Sequence, residues 1–192
     1  MEACASAHYW AWVLTEMGHT VKLIAPQSVK PYVKGNKNDA NDAEAICEAI
    51  SRPAMRFVAV KTERQQTLQA EHRVRARVIK SRTALCNEIR GFLGEFGVVL
   101  PVGISQLRKA LPEILSQQEQ WDDRFMRLLC ELAEELRMLD DRVAGHDRRL
   151  AEAAREDICI QRLMKIEGIG VITASAMVAL LGDATQFKNG RE

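Results

Sequence analysis

The chain has 192 residues, is 47% hydrophobic and 28% charged, and carries a formal net charge of +1, the composition of an ordinary folded protein of one domain or of a small domain with extensions. No apolar run approaches the roughly 20 residues that cross a bilayer, and no basic segment followed by an apolar one opens the chain, so neither a membrane helix nor a signal peptide is expected. Cys4, Cys47, Cys86, Cys130 and Cys159 are scattered without a CxxC or Cys/His cluster, which argues against a zinc site or a disulfide framework and points to reduced thiols in the cytoplasm.

Residues 3–17 read as a helix that Gly18 ends. "TVKLIA" (20–25) alternates apolar and polar residues and predicts a strand, stopped by Pro26. A basic connector with Lys30, Lys34 and Lys37 leads to a helix over about 39–51, which Pro53 terminates, and "MRFVAV" (55–60) is a second short strand. From Thr62 the texture changes. Leu68, Val74, Val78, Leu85, Ile89, Phe92 and Phe96 describe one helical stripe, broken at Gly97, Pro101 and Gly103. After a short helix around 104–116, a second long seam runs through Trp121, Phe125, Leu128, Leu132, Leu136, Leu139, Val143, Leu150 and Ala153, with His146 filling its one gap. At 1.5 Å per residue each long helix spans about 50 Å. The pair predicts an antiparallel coiled-coil arm through which the chain is expected to form a homo-oligomer.

The two arms differ in charge. Between Glu71 and Arg90 the bases Arg73, Arg75, Arg77, Lys80, Arg82 and Arg90 face only two acids, whereas between Glu113 and Asp157 thirteen acids face seven bases. These are either complementary faces of paired helices or, on the first arm, a phosphate-binding stripe carried by Arg73, Arg77 and Lys80.

Two stretches can carry chemistry. In "KNDANDAEA" (37–45), Asp39 and Asp42 stand on adjacent turns at a helix start, Asp39 leading to Ala43, Ile46 and Ile50, and Asp42 to Ile46 and Ala49. Both therefore extend the stripe expected to face the core, with Glu44 and Glu48 on the solvated side. Two readings stay open. Aspartate caps free N–H groups and suits the helix dipole, and two carboxylates at this spacing also suit a divalent cation. In "KIEGIGVITASAMVALLGD" (165–183), Gly168-Ile169-Gly170 separates two apolar helices, with Thr173 at the start of the second. This is a tight turn between packed helices, or a helix-hairpin-helix whose glycines and N-terminal N–H groups hold a phosphate. Near the N-terminus Glu2 reads as an acid before a helix, and His8, Tyr9, Trp10 and Trp12 as packing residues.

Taken together, "MEACASAHYWAW…KNDANDAEAICEAI" and "MRFVAVKT" resemble the N-terminal domain of the DEDD transposases of the insertion-sequence 110 and 1111 group, and "IEGIGVITASAMVALLGDATQFKNGRE" resembles the opening of that family's C-terminal domain. The resemblance implies a mainly α fold with a small β element: a truncated RuvC-like (RNase H-like) α/β domain over 1–61, a coiled-coil arm over 62–156, and the start of a serine-bearing transposase domain with a helix-hairpin-helix over 157–192. It implies DNA as substrate, a bridge-type guide RNA as partner, and a four-carboxylate site for Mg²⁺ (or Mn²⁺) to which Glu2, Asp39 and Asp42 correspond, as catalytic residues and metal ligands. It implies hairpin contacts to nucleic acid through Gly168, Gly170 and Thr173. The family's first aspartate precedes the "MEAC" block and its serine follows "FKNGRE", while Ser175 is not the counterpart of that serine. The expectation is therefore a transposase fragment that alone neither cleaves nor joins DNA, or a non-catalytic nucleic-acid-binding or dimerisation module.

Overall fold

A computed structural model describes residues 1–36 and 38–181. The described chain is mainly helical and divides into two compact units, one of Met1–Thr67 joined by residues 177–181 and the other of Leu68–Ala176.

The first unit is built around two very short antiparallel strands, β1 (Leu23–Ile24) and β2 (Phe57–Val58), with Leu23 opposite Val58 and Ile24 opposite Phe57. Both expected strands are present but only two residues long. On the other side of β1 the chain start lies extended. Glu2 forms a parallel bridge with Ile24, the Ile24 N–H donates to the Met1 carbonyl at 2.9 Å, and the Ala3 N–H donates to the Ile24 carbonyl at 2.8 Å. Those bonds claim the residues expected to open the first helix, so α1 runs only over Ala7–Glu16. It ends at Gly18, whose φ of 89° is a left-handed conformation that glycine adopts without strain.

Successive side chains of a strand point to opposite faces, and two residues suffice here to sort two helices. Leu23 packs with Ala7 and Ala11 of α1, and Ile24 with Ala45 and Ala49 of α3 (Asp39–Ile50). Between β1 and α3 the sequence forms two elements its pattern does not announce, α2 (Pro26–Val29), opened by proline at its first position, and a 3-10 turn over Lys30–Tyr32. A second tie joins α1 to the segment before α4. The Trp12 indole N–H donates to the Lys61 carbonyl at 2.9 Å, and the Lys61 N–H donates to His8 Nδ1 at 3.1 Å.

The second unit is a helical hairpin. Within it α4 (Glu63–Glu95) and α6 (Asp123–Glu156) run antiparallel, since Arg75 pairs with Asp147, Arg82 with Asp140, and Phe96, just past α4, stacks on Phe125 at 4.1 Å between centroids. The helix α5 (Ile104–Ser116) packs Leu107, Leu111 and Ile114 into the seam between them. Arg82 from α4 and Arg108 from α5 both bind the Asp140 carboxylate of α6, the Arg108 Nε donating to Oδ2 at 2.9 Å.

The seam departs from the expected one at several points, among them Ala154, buried in place of Ala153, and Phe96, 52% exposed. In the first turns of α6 it is Met126 and Leu129 that are buried, while Leu128 is 42% exposed. On α4, Val74 is exposed, and Cys86 and Leu93 join the core beside Leu85 and Ile89. The cause is α5. A third helix against the hairpin widens the buried face beyond the single stripe that two paired helices would share. His146 is buried in the seam as expected, and the structure pairs it with Glu71 of α4. Two further helices close the described chain, α7 (Ile158–Leu163) and α8 (Val171–Leu181).

Candidate metal and nucleic-acid sites

The carboxylates lie in the first unit. Helix α3 is capped by Asn38, whose φ and ψ of −153° and 163° are non-helical and whose side-chain oxygen accepts the Asn41 N–H at 2.8 Å. The Asn41 amide in turn donates to the Asn36 carbonyl at 2.7 Å. Capping is thus done by an amide. Asp39 and Asp42 occupy the first turn, and their carboxylates have neither a hydrogen bond nor an ion pair to any described residue; the same holds for the carboxylate of Glu2 beside Ile24.

The placement of the pair differs from the sequence expectation. Asp42 is half-buried, in line with Ala45 and Ala49, the buried positions of α3, whereas Asp39, Ala43 and Ile50 are exposed. The buried stripe is turned toward Ala45 because the small side chains are what fit against β1. Glu48, expected on the solvated side, is half-buried and held by Arg52 at 2.6 Å and Lys34 at 3.4 Å. Hydrogen bonds from Arg52 and then Lys34 hold its carboxyl below the usual glutamate range. Glu48 is therefore spoken for, and Asp39 and Asp42 are not.

These residues fit a hard divalent cation in donor type, since Asp39 and Asp42 offer unengaged carboxylate oxygens three residues apart in the first turn. Among the described residues no group of three or more His, Cys, Asp or Glu side chains is gathered closely enough to hold a metal ion. A Mg²⁺ ion commonly takes one or two carboxylates and completes its shell with water and substrate phosphate, so two such ligands are a usable set.

The second stretch lies at the α7–α8 turn. Gly168 has a φ of 82°, which requires glycine, while Gly170 has ordinary φ and open space around it. The Ala174 N–H donates to the Gly170 carbonyl at 2.9 Å, so the helix begins there and the N–H groups before Ala174 have no carbonyl of their own helix to bind. Thr173 is exposed in that first turn. Ser175, in the turn that follows, is fully buried. Its hydroxyl donates to the Val171 carbonyl at 2.6 Å, so the His72 Nε2 at 2.9 Å must donate to it. Burial, followed by the charge of Arg75, pushes the His72 pKa down, against the opposing effect of Glu71. A serine in this state is a packing and bonding element, not a nucleophile. Nothing local in the sequence links residues 72 and 175.

A similar network lies on α4 and α6. His146 Nδ1 is 2.7 Å and Arg149 Nε 2.8 Å from Glu71 Oε1. Burial pulls the Glu71 pKa upward, but the hydrogen bonds from His146 and Arg149 outweigh it and leave that carboxyl below its usual range. Arg73, Arg77 and Lys80 are exposed on α4.

Residues 1–97 match the family model of the IS110-type DEDD transposases, described as transposase, and residues 160–192 match a model described as transposase IS116/IS110/IS902 family. A probable family 20 transposase of Pseudomonas aeruginosa is 54% identical over the whole chain, which spans 57% of that protein. The transposase for insertion sequence element IS1111A of Coxiella burnetii is 44% identical and that for IS1328 of Yersinia enterocolitica 41%, again over the whole chain and over 53% and 57% of their lengths. The chain thus spans about half the length of the curated relatives it matches, and no solved structure matches it. With half of its residues under the first family model and its C-terminal stretch under the second, the chain belongs to the IS110-type DEDD transposases.

Proposed function

We propose that the chain carries part of the machinery of an insertion-sequence DNA transposase, in which Asp39 and Asp42 are ligands for Mg²⁺ or Mn²⁺; Glu2, the third carboxylate that the family resemblance implies, is not gathered with them among the described residues. The observation that carries this is the division of labour in α3: Asn38 caps the helix and leaves two first-turn aspartates unengaged. A helix start needs one cap, and two further like charges one turn apart cost about 0.2–0.5 kcal/mol when exposed. A bound cation would supply Lewis-acid polarisation of a phosphodiester and stabilise the leaving oxygen. The chain's own residues would hold the cation and, through Asp42 in line with Ala45, fix it against β1. In this reading the sheet between α1 and α3 is an RNase H-like element, and the turn at Gly168 and Gly170, with Thr173, contacts phosphate through backbone N–H groups. DNA and an element-encoded guide RNA are the partners the family implies, the hairpin of α4 and α6 serves homo-oligomerisation as a coiled coil, and the setting is the cytoplasm.

The test is a Mn²⁺ titration followed by calorimetry or electron paramagnetic resonance. Binding that weakens at least tenfold in Asp42→Asn, with an unchanged circular dichroism spectrum, supports the site. Binding indifferent to both Asp39→Asn and Asp42→Asn removes it. A second reading is a non-catalytic nucleic-acid-binding or dimerisation module, in which the exposed Arg73, Arg77 and Lys80 of α4 hold nucleic acid. It is distinguished by nucleic-acid binding without any metal binding.

A further inference from the structure

The six bases between Glu71 and Arg90 are divided by the fold into two sets. Arg75, Arg82 and Arg90 turn inward. Arg75 Nε lies 2.5 Å from Asp147, Arg82 Nη1 3.1 Å from Asp140, and Arg90 Nη2 3.4 Å from the Leu100 carbonyl. The Arg75 and Arg82 side chains are only 21% and 20% exposed. Arg75 and Arg82 pair with acids of the other arm, and Arg90 binds a backbone carbonyl.

Arg73, Arg77 and Lys80 are the remainder. All three are exposed, and none of their side chains has a hydrogen bond or ion pair to a described residue. Their spacing of four and three places them on one face of α4, over about 10 Å of helix axis. Between Glu71, which is engaged with His146 and Arg149, and Glu88, that stretch of α4 holds no acid. The neighbouring exposed positions are Ala76, Ser81 and Ala84, small side chains that leave the row open to a large, flat ligand. A row of like charges without neutralisers does nothing for the hairpin's own stability, since neighbours at this spacing repel.

We propose that Arg73, Arg77 and Lys80 form a track for the sugar–phosphate backbone of nucleic acid, held by charge and hydrogen bonds to phosphate without reading base sequence. This rests on the transposase reading for the class of ligand, and adds a binding surface on α4 to the carboxylates and the α7–α8 turn. Two cations one helical turn apart suit successive phosphates of one strand, and three contacts set the salt dependence. A DNA duplex and a folded RNA present the same phosphate chemistry.

The experiment measures fluorescence anisotropy of the full chain with an arbitrary 20-base-pair DNA and, separately, an RNA hairpin, in EDTA and across 50–300 mM salt. EDTA makes the readout independent of the metal site, so failure of the metal reading and failure of this one are told apart. The variant is Arg73→Gln/Arg77→Gln/Lys80→Gln, and the control Arg127→Gln/Arg142→Gln/Arg148→Gln removes the same charge from exposed positions of α6. The expected result is at least a tenfold loss of affinity at 50 mM salt for the α4 triple, with the slope of log K against log salt reduced by about 2.7 for three lost contacts on duplex DNA. The control should change affinity less than threefold. Tighter binding of one ligand than the other identifies the source of the phosphates. Equal losses in both triples, no loss in either, or preferential binding of poly-glutamate over both nucleic acids overturns the proposal.

Discussion

The His72 ring and the Ser175 hydroxyl meet at 2.9 Å across 103 residues of sequence, joining α4 to α8 with the serine as acceptor. Because the His72 pKa is held down, the unfolded chain binds a proton more readily than the folded one. Stability therefore falls as pH drops below about 6.5, the ordinary histidine value, and the loss levels off once pH is below the lowered folded value. His8, whose Nδ1 accepts the Lys61 N–H and whose pKa is lowered by burial and then by the charge of Lys61, acts in the same direction. Thermal melts between pH 7.5 and 5 should show a falling midpoint, and the fall should be smaller in His72→Gln. An unchanged pH profile in that variant would remove His72 as the cause.

Removing the cap of α3 should matter more than removing either aspartate. Asn38→Ala deletes the side-chain acceptor of the Asn41 N–H and is expected to cost about 1 kcal/mol. Asp39→Asn and Asp42→Asn should each leave stability within about 0.5 kcal/mol, because no described residue depends on those side chains. Urea unfolding of the three variants checks the order. A larger loss in Asp39→Asn than in Asn38→Ala would return the aspartate to a structural role.

Asp140 should be the most sensitive charged position of the hairpin. It binds Arg82 of α4 and Arg108 of α5 at once, so Asp140→Asn leaves two guanidinium groups short of their acceptor. A loss of about 1–3 kcal/mol is expected, and each of Arg82→Met and Arg108→Met should cost less. If Asp140→Asn costs no more than the Arg108 change alone, the three-helix staple is not a unit.

The register of α6 offers a sharp comparison. Leu129 is fully buried and Leu128 is 42% exposed. Leu129→Ala is expected to cost about 2–5 kcal/mol and Leu128→Ala well under 1 kcal/mol. Comparable losses would mean that the helix is turned by one position from the arrangement described.

The three long helices of the hairpin were legible in the sequence, because their information is local. Apolar spacing of three and four, with glycine and proline at the junction after α4, located α4, α5 and α6 to within about three residues. The blocks "EAC" and "KNDANDA", in that order, likewise mark the transposase family through residue identity alone. Which side of each helix faces inward depended on long-range packing. Helix α5 against the hairpin moved the seam to Leu129, and the short strand Leu23–Ile24 selected Ala45 and Ala49 as the buried face of α3. Tertiary structure also decided which charges are engaged. Arg75 and Arg77, two residues apart and chemically alike, differ because a helix turns about 200° between them, leaving one beside Asp147 and the other in solvent. That rotation is fixed by what packs against the helix, and residues distant in sequence supply it.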